Sequence, residues 1–307
     1  MERAIRVGTR ESQLAIWQAT QVKQLLNTQR KAVDLVFIKS EGDIDVRTPL
    51  YEMGVQGIFT KTLDIALLDH KIDLAVHSLK DVPIQMALGL TQAAALKRGP
   101  VSDLLVFKTT LDFLHLQNYP ASIATSSIRR KAQWLHKYPH HQVYDLRGNV
   151  NTRLKKLATE NWDGAIFAQA GLERINIRPE NSIVLEWMLP APAQGAIVVV
   201  CRKDDRDLLE ACQKFNDTNT ELCTKIERQF LRTLLGGCST PISALAEIQD
   251  EEVHFKGNIF SPDGKHKAVI EKTVPILQAN HLGEMAADEL LKNGGQEIAD
   301  HIEHEVQ

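Results

Sequence analysis

The sequence lacks the features that identify several large functional classes. Its formal net charge is −3 over 307 residues and only 6% of them are aromatic, so no basic field attracts nucleic acid or an anionic membrane surface. No apolar run approaches the length of a membrane span, and the first residues lack the apolar core of a signal peptide. These absences predict a cytoplasmic protein with no nucleic-acid and no membrane partner.

Nucleotide and metal motifs are also missing. There is no G-x-x-x-x-G-K-[ST], no G-x-G-x-x-G and no H-E-x-x-H, so the sequence gives no support to ATP, dinucleotide or zincin chemistry. The cysteines at 201, 212, 223 and 238 include no C-x-x-C pair, and free thiols are expected in a reducing compartment. His140-His141 and the pair His301 and His304 have no ligand partners at metal spacing, so no metal site is predicted.

One cysteine has an unusual setting, in the run Gly236-Gly237-Cys238-Ser239-Thr240-Pro241. It follows a helix predicted over residues 227–235. The two glycines free the backbone before the thiol, and the proline stiffens the exit. This presentation suits a thiol that carries a covalent group, and a small buried residue in a Gly-Gly turn is the alternative.

The hydrophobic pattern alternates strands and helices. Strands predicted over 4–8, 33–40 and 73–77 alternate with helices that begin near Ser12 and Thr60, and Ala15, Ala19, Val22 and Leu26 form the apolar face of the first helix. A second block has strands over 122–125, 143–146 and 165–168 and helices over 126–136 and 150–158. Such alternation predicts α/β domains with largely parallel sheets.

The end of the chain has a different pattern. A connection over 189–195 and a strand over 197–202 are predicted to return the chain to the first sheet. From residue 216 onward we expect a helix, short strands and a final helix over 282–292, which make a small α+β domain. The predicted domains are 1–98 with 196–214, then 99–195, then 215–307.

Basic residues recur where predicted strands end or helices begin. Ligands of open α/β sheets bind at the carboxyl ends of the strands, where helix N-termini and arginines bind anions. A multiply anionic small ligand is therefore predicted, and a solvated helix face is the alternative, which suits Lys155 and Lys156 best. The candidate residues are Arg10, Ser12, Thr125, Ser126, Ser127, Arg129, Arg130, Arg147, Gly148, Arg153 and Arg174.

A second cluster lies in the segment Ala75–Pro83, where a predicted strand ends in a loop that carries Lys80 and Asp81. The ammonium group can bind an anion, and the carboxylate can accept a proton or stabilise a developing cation. A surface turn with an incidental ion pair is the alternative, and His77 is interpreted as a structural histidine. The glycine-punctuated segment 42–61 is predicted to be a lid or a connection without fixed structure.

Seven segments in chain order resemble the porphobilinogen deaminase family, also called hydroxymethylbilane synthases. No single segment is decisive, but their number and order make the resemblance specific. They are Gly8–Ala15, Ala75–Pro83, Thr125–Arg130, Leu146–Leu154, Ala170–Arg174, Gln194–Ala196 and Leu235–Cys238.

The resemblance implies two α/β domains like those of periplasmic binding proteins and a third, α+β domain that bears Cys238. It implies a dipyrromethane cofactor held by a thioether at Cys238. On this cofactor four porphobilinogens are deaminated and joined head to tail into the linear tetrapyrrole hydroxymethylbilane, in porphyrin and haem biosynthesis. Asp81 would face pyrrole N–H groups and stabilise the cationic azafulvene that forms as ammonia leaves. Porphobilinogen and oligopyrrole intermediates are the expected partners of a monomeric enzyme.

The chain departs from the family pattern at three places. Where the family has Gly-Gly-Lys-Gly-Leu-Phe, this chain has Gly54-Val55-Gln56-Gly57-Ile58-Phe59. Gln56 and Phe59 are therefore candidate loop residues, with weaker anion contact expected at Gln56. The junction 98–103 is less charged than in the family, and Val200 stands in place of a carboxylate.

The resemblance also implies which residues bind the acetate and propionate groups of the cofactor and the substrate. These are Arg10, Ser12, Lys80, Ser127, Arg129, Arg130, Arg147, Arg153 and Arg174, and the matching segments add Thr125, Ser126, Gly148 and Gln194.

Two other functions compete with a transferase. A non-catalytic small-anion binding protein of periplasmic-binding fold would explain the arginines but would leave Cys238 and Asp81 without a role. A nucleic-acid binder acting through Arg129, Arg130 and residues 153–156 is disfavoured by the overall charge and by the lack of an aromatic-rich basic surface.

Overall fold

A computed structural model describes residues 3–39, 60–116, 118–234 and 240–306. The strands of these residues are β1 (Ile5–Thr9), β2 (Val33–Phe37), β3 (Leu74–Ser78), β4 (Leu90–Ala95), β5 (Asp103–Phe107), β6 (Ser122–Ala124), β7 (Gln142–Tyr144), β8 (Gly164–Ala168), β9 (Ser182–Val184), β10 (Ile197–Arg202), β11 (Ile242–Gln249), β12 (Glu252–Phe260) and β13 (Lys267–Pro275). The α-helices are α1 (Gln13–Thr28), α2 (Lys61–Leu68), α3 (Ile128–Lys137), α4 (Val150–Thr159), α5 (Gln169–Glu173), α6 (Arg206–Gln213), α7 (Thr218–Thr233), α8 (Leu282–Leu290) and α9 (Gln296–Val306).

The described residues form two compact units. The first contains 3–39, 60–99 and 195–221, and the second contains the remainder. The α/β class and the α+β character of the C-terminal part, both predicted from the sequence, are confirmed by the strand order and the helices of these units.

The first unit has one five-stranded sheet, in the order β2-β1-β3-β10-β4. β1 pairs in parallel with β2 and β3, whereas β10 is antiparallel to both β3 and β4. The predicted return of β10 to the first sheet is confirmed. One strand departs from the predicted largely parallel sheet, because β10 enters between two strands that run the other way. No crossover helix precedes β10, so its entry does not require a parallel direction.

Helix α1 forms where the apolar pattern predicts it. Its N-cap is Ser12, whose hydroxyl accepts the N–H of Ala15, which satisfies a donor that the first turn leaves unpaired. All four residues of the predicted apolar face are buried in this helix: Ala15, Ala19, Val22 and Leu26. The helix therefore packs on the sheet through the face that its sequence specifies.

Asp73 connects the beginnings of β1 and β3 and gives a pH-dependent part of the stability. It accepts hydrogen bonds from Arg6 at 2.8 Å and Arg3 at 3.0 Å. Burial by itself raises the pKa of Asp73, but these hydrogen bonds outweigh it and lower the pKa to about 2. This carboxylate therefore stabilises the fold above its ordinary pKa of 3.8, and the contribution is lost as the pH falls towards about 2. We expect urea unfolding from pH 5 to 2 to show this loss in the wild type and a shallower one in Asp73→Asn; equal slopes would contradict it.

The second unit contains another five-stranded sheet, in the order β7-β6-β8-β5-β9. β6 is parallel to β7 and β8, and β5 is antiparallel to β8 and β9. The sequence patterns did not predict β4, β5 or β9. β5 carries a short apolar run that is buried on both faces, and such a run has no periodicity to identify it as a strand.

The C-terminal part of this unit is an antiparallel meander, β11-β12-β13, packed against helices. The sequence analysis expected short strands here, but β12 and β13 each have 9 residues. The predicted final helix over 282–292 was also wrong in extent. Helix α8 ends at Leu290, the chain kinks at Asn293 and Gly294 (φ 96°), and α9 follows. The positive φ at Gly294 interrupts the helix.

Candidate functional site

The turn after β3 presents two predicted site residues. β3 ends at Ser78, and a 3-10 turn, Leu79–Asp81, follows at once. The hydroxyl of Ser78 accepts the side-chain N–H of Gln18 at 2.8 Å. The first N–H of the turn donates to the carbonyl of Ala196 at 3.0 Å. The turn is therefore held on both sides, and it fixes where Lys80 and Asp81 lie.

The neighbouring strand brings further site residues to the same edge. β1 and β3 are parallel, so the residues that follow them meet at their common carboxyl edge. A small recess of about 70 Å³ lies there, and its lining includes Arg10, Ser12, Gln18, His77, Ser78 and Asp81. The structure thus brings three predicted residues together in one recess: Arg10, Ser12 and Asp81. Lys80 belongs to the same turn but is not among the residues that line the recess.

Three hydroxyl residues shape the equivalent edge of the second unit, where β6 leads into α3. The hydroxyl of Thr125 accepts the N–H of Ser127 at 3.2 Å, and the hydroxyl of Ser126 accepts the N–H of Leu146 at 2.7 Å. Ser127 caps α3 by accepting the N–H of Arg130. These hydroxyls hold the connection in place, and each oxygen keeps a donor hydrogen for another partner.

Arg129 and Arg130 have internal partners in this structure. Each is 5% exposed, and each donates to one oxygen of the fully buried Asp103 at 2.7 Å. Arg129 also donates to the carbonyl of Leu189, and Arg130 to that of Ile166. Burial alone raises the pKa of Asp103, but the two guanidinium charges outweigh it and hold this pKa well below its usual range. The group is a buried ion cluster with one excess positive charge.

This cluster changes how the two adjacent arginines are interpreted. Their observed bonds run to buried acceptors, so direct contact with a ligand carboxylate stays a prediction. Gln194, another predicted binding residue, also donates to Asp103, at 2.9 Å. The sequence patterns did not identify Asp103 as a structural residue. A carboxylate at the start of an apolar strand could have indicated it. Such a residue becomes buried with the strand, and a buried charge needs a partner.

The remaining predicted cations follow β7 and β8, which are parallel to β6 and so end at the same edge. Arg147 is buried, and Gly148 after it has φ 111°. A Cβ at Gly148 would lie 2.8 Å from the Thr152 side chain, so a larger residue does not fit. Arg153 donates to the carbonyl of Gly148 at 2.7 Å. Burial lowers the pKa of Arg174 to about 10, which leaves this guanidinium charged at neutral pH.

Three predicted residues, Gln56, Phe59 and Cys238, lie outside the described residues. The other three cysteines, at 201, 212 and 223, are buried. Burial raises the pKa of Cys201 to about 11 and of Cys212 to about 12, so both are unreactive thiols at neutral pH. Within the described ranges, no group of three or more histidine, cysteine, aspartate or glutamate residues is arranged to hold a metal ion. No helix in this part of the chain is long and apolar enough to cross a membrane.

Two α/β sheets with arginines and hydroxyls at the carboxyl ends of their strands are typical of proteins that bind small anions. A family model described as porphobilinogen deaminase, dipyromethane cofactor binding domain, matches residues 5–210. A second one, porphobilinogen deaminase, C-terminal domain, matches 221–292. The chain belongs to the porphobilinogen deaminase family, and it is therefore an enzyme.

Relatives of known name support this assignment over almost the whole length. A protein of Pelobacter propionicus named porphobilinogen deaminase is 39% identical over 304 residues, which cover 98% of this chain and 97% of the relative. One of the same name from Chlorobium phaeobacteroides is 39% identical over 306 residues, with 97% of each chain covered. The resemblance found in the sequence is confirmed.

Solved structures similar to the chain include periplasmic domains. The periplasmic VFT2 domain of Bordetella pertussis BvgS has a TM-score of 0.42 and 12% identity, and the match covers 69% of this chain and 86% of that one. A periplasmic substrate-binding protein of a Coxiella burnetii ABC transporter has a TM-score of 0.43 and 16% identity, covering 68% and 90%. Likeness at this level has no bearing on function.

Proposed function

We propose that this enzyme is a transferase that makes hydroxymethylbilane. Four porphobilinogens and one water give one hydroxymethylbilane and four ammonia molecules, which balances the atoms of the reaction. The observation that carries the proposal is the recess in which Asp81 lies with Arg10 and Ser12. In this recess the Asp81 carboxylate can bind cationic or N–H groups, and the neighbouring Arg10 guanidinium can bind carboxylates. Porphobilinogen has both kinds of group.

The residues present fit a dipyrromethane. Its acetate and propionate groups need several cations and hydroxyls, and such side chains lie at the carboxyl ends of parallel strands. The family resemblance assigns this binding to Arg10, Ser12, Arg147, Arg153 and Arg174. We propose that a thioether at Cys238 attaches the group. When bound, it supplies a nucleophilic pyrrole carbon to which the incoming unit is joined.

Asp81 has the central electrostatic role in this proposal. Its carboxylate lies on a turn that hydrogen bonds hold on both sides, so it needs no rearrangement to face a substrate. It would accept pyrrole N–H groups and stabilise the positive charge that develops on porphobilinogen as ammonia leaves. Arg10 would bind a carboxylate of the same ligand, which orients the ring against Asp81, and Lys80 would supply a further cation near this edge.

We also propose the division into domains 1–98 with 196–214, 99–195 and 215–307. The bounds of the two family models support a boundary between 210 and 221. The meander with its helices has a hydrophobic core of its own, built around Ile226, Phe230 and Phe255. A monomer and a cytoplasmic location are proposed from the family and the sequence composition.

Intact mass tests the attachment. We expect the wild-type protein to be heavier than its sequence by one dipyrromethane and Cys238→Ala to have the mass of its sequence alone. Cys223→Ala is the matched control, because it removes a buried thiol and should keep the added mass. Cys238→Ala should also make no hydroxymethylbilane. Wild-type protein that is unmodified, and inactive with porphobilinogen, would refute the transferase and favour an anion-binding protein.

A further inference from the structure

His77 lies in the penultimate position of β3, where the strand reaches the candidate site. It is one of the residues that line the recess with Arg10 and Asp81, and its ring is close enough to Arg10 for the charge of that residue to affect it. The residue is only 6% exposed. The sequence analysis interpreted it as a structural histidine, which would be expected to have its ring nitrogens paired within the fold.

One nitrogen of this ring has no partner in the part of the chain that the structure describes. The Nε2 atom of His77 is buried and has no hydrogen-bond partner among the described residues. Other histidines of the chain are paired: His141 accepts from the indole N–H of Trp134 at 3.2 Å, and His136 lies 2.8 Å from the carbonyl of Gly264. A buried polar atom without a partner lowers the stability of the fold. Such an atom beside a binding recess indicates a bond that is made to a ligand.

The ring is uncharged in the working range of pH. Burial, and then the charge of Arg10, lower the pKa of His77 to about 4. A neutral imidazole has one N–H donor and one acceptor nitrogen. The recess therefore offers a charged donor, Arg10, and a neutral hydrogen-bonding group at one place. This pairing suits a carboxylate, which accepts from both without a second buried charge to compensate.

The size of the recess limits what enters it. At about 70 Å³, it has room for about two waters, each with a share of about 30 Å³ in the liquid. A carboxylate group fits in that space. The acidic side chain of a pyrrole ligand would thus enter the recess beside Arg10, with the ring N–H directed to Asp81, which lines the same recess.

We propose that His77 is a ligand-binding residue of this enzyme, whose Nε2–H donates to the pyrrole carboxylate that Arg10 binds. The inference rests on the proposed function. The bond is absent without ligand and forms when the carboxylate enters, as hydrogen bonds in active sites often tighten only in the complex. His77 thereby selects for an acidic side chain at this position of the ring.

Two variants of the holoenzyme separate this role from a structural one. His77→Phe keeps an aromatic ring but removes both nitrogens, and His77→Gln keeps a neutral N–H donor. We expect His77→Phe to raise the KM for porphobilinogen about tenfold, the effect of one hydrogen bond of about 1.4 kcal/mol. We expect its Tm to equal or exceed that of the wild type, because the unpaired nitrogen is gone. His77→Gln should have a KM close to the wild-type value.

The KM and the Tm together distinguish a ligand-binding histidine from a structural one. A structural histidine would give a lower Tm for His77→Phe with an unchanged KM, and that result would overturn the inference. Intact mass is measured for each variant, so that KM values are compared at equal dipyrromethane content. A stable His77→Phe protein without dipyrromethane also supports the inference, because the cofactor carries the same carboxylates. Wild-type protein that is inactive with porphobilinogen refutes the proposed function. If the wild type is active and His77→Phe has the same KM, this inference alone is refuted.

Discussion

Replacing Asp103 with asparagine is expected to destabilise the protein by about 3–5 kcal/mol, the usual effect of removing one partner from a buried ion pair. The change keeps the volume of the side chain but removes the carboxylate that pairs with both Arg129 and Arg130 among the described residues. Two buried guanidinium groups would then face a neutral amide. Urea unfolding followed by circular dichroism measures the difference.

Asp112→Asn is the matched control for this experiment. Asp112 is an exposed carboxylate of the same unit that accepts a hydrogen bond from Thr110, and its replacement should change the unfolding free energy by no more than about 0.5 kcal/mol. An Asp103→Asn protein as stable as this control would show that the arginines find other partners.

Asp81→Asn is expected to lower turnover about 10²–10³-fold, the range seen when a group that stabilises transition-state charge is removed. Asparagine can still accept one pyrrole N–H bond but carries no charge against the developing cation. We therefore expect the variant to keep its dipyrromethane better than it keeps its kcat. Steady-state kinetics with porphobilinogen and intact mass, measured on the same preparation, separate the two effects.

Asp69→Asn provides the comparison for Asp81. Asp69 lies in the same unit and pairs with Lys71 at 3.0 Å on the surface, so its replacement should leave kcat near the wild-type value. Near-normal turnover in Asp81→Asn would refute the role assigned to that carboxylate. Loss of turnover in both variants would point to a general effect of removing negative charge from this unit.

Local patterns predicted two kinds of element well, the helix with one apolar face and the longer apolar run. α1 combines a capping serine with an apolar stripe, and both signals lie within the helix itself. β10 is an unbroken apolar run next to a proline- and glycine-bearing connection, and it too was found. β5 was missed because a short strand buried on both faces has no alternation. Its reversed direction depends on which strands it meets, and no local pattern encodes that.

The candidate site divides in the same way. The turn after β3 could be placed from the segment Ala75–Pro83, because a strand that stops at a proline-ended loop presents its next side chains at the sheet edge. His77 was correctly assigned to that strand. The lack of a described partner for its Nε2 atom could not be predicted from the sequence. It depends on what surrounds the ring and on Arg10, which follows another strand.

The sequence alone determined the family, the α/β class and the set of side chains from which a polycarboxylate site can be built, because these depend on residue type and order. Only the tertiary structure decided which of those side chains have internal partners. Arg129 and Arg130 follow the same hydroxyl residues and look alike in sequence, but both donate to Asp103, 26 and 27 residues away. A guanidinium adopts the direction of its strongest nearby acceptor, and that acceptor is brought near only when β5 enters the sheet.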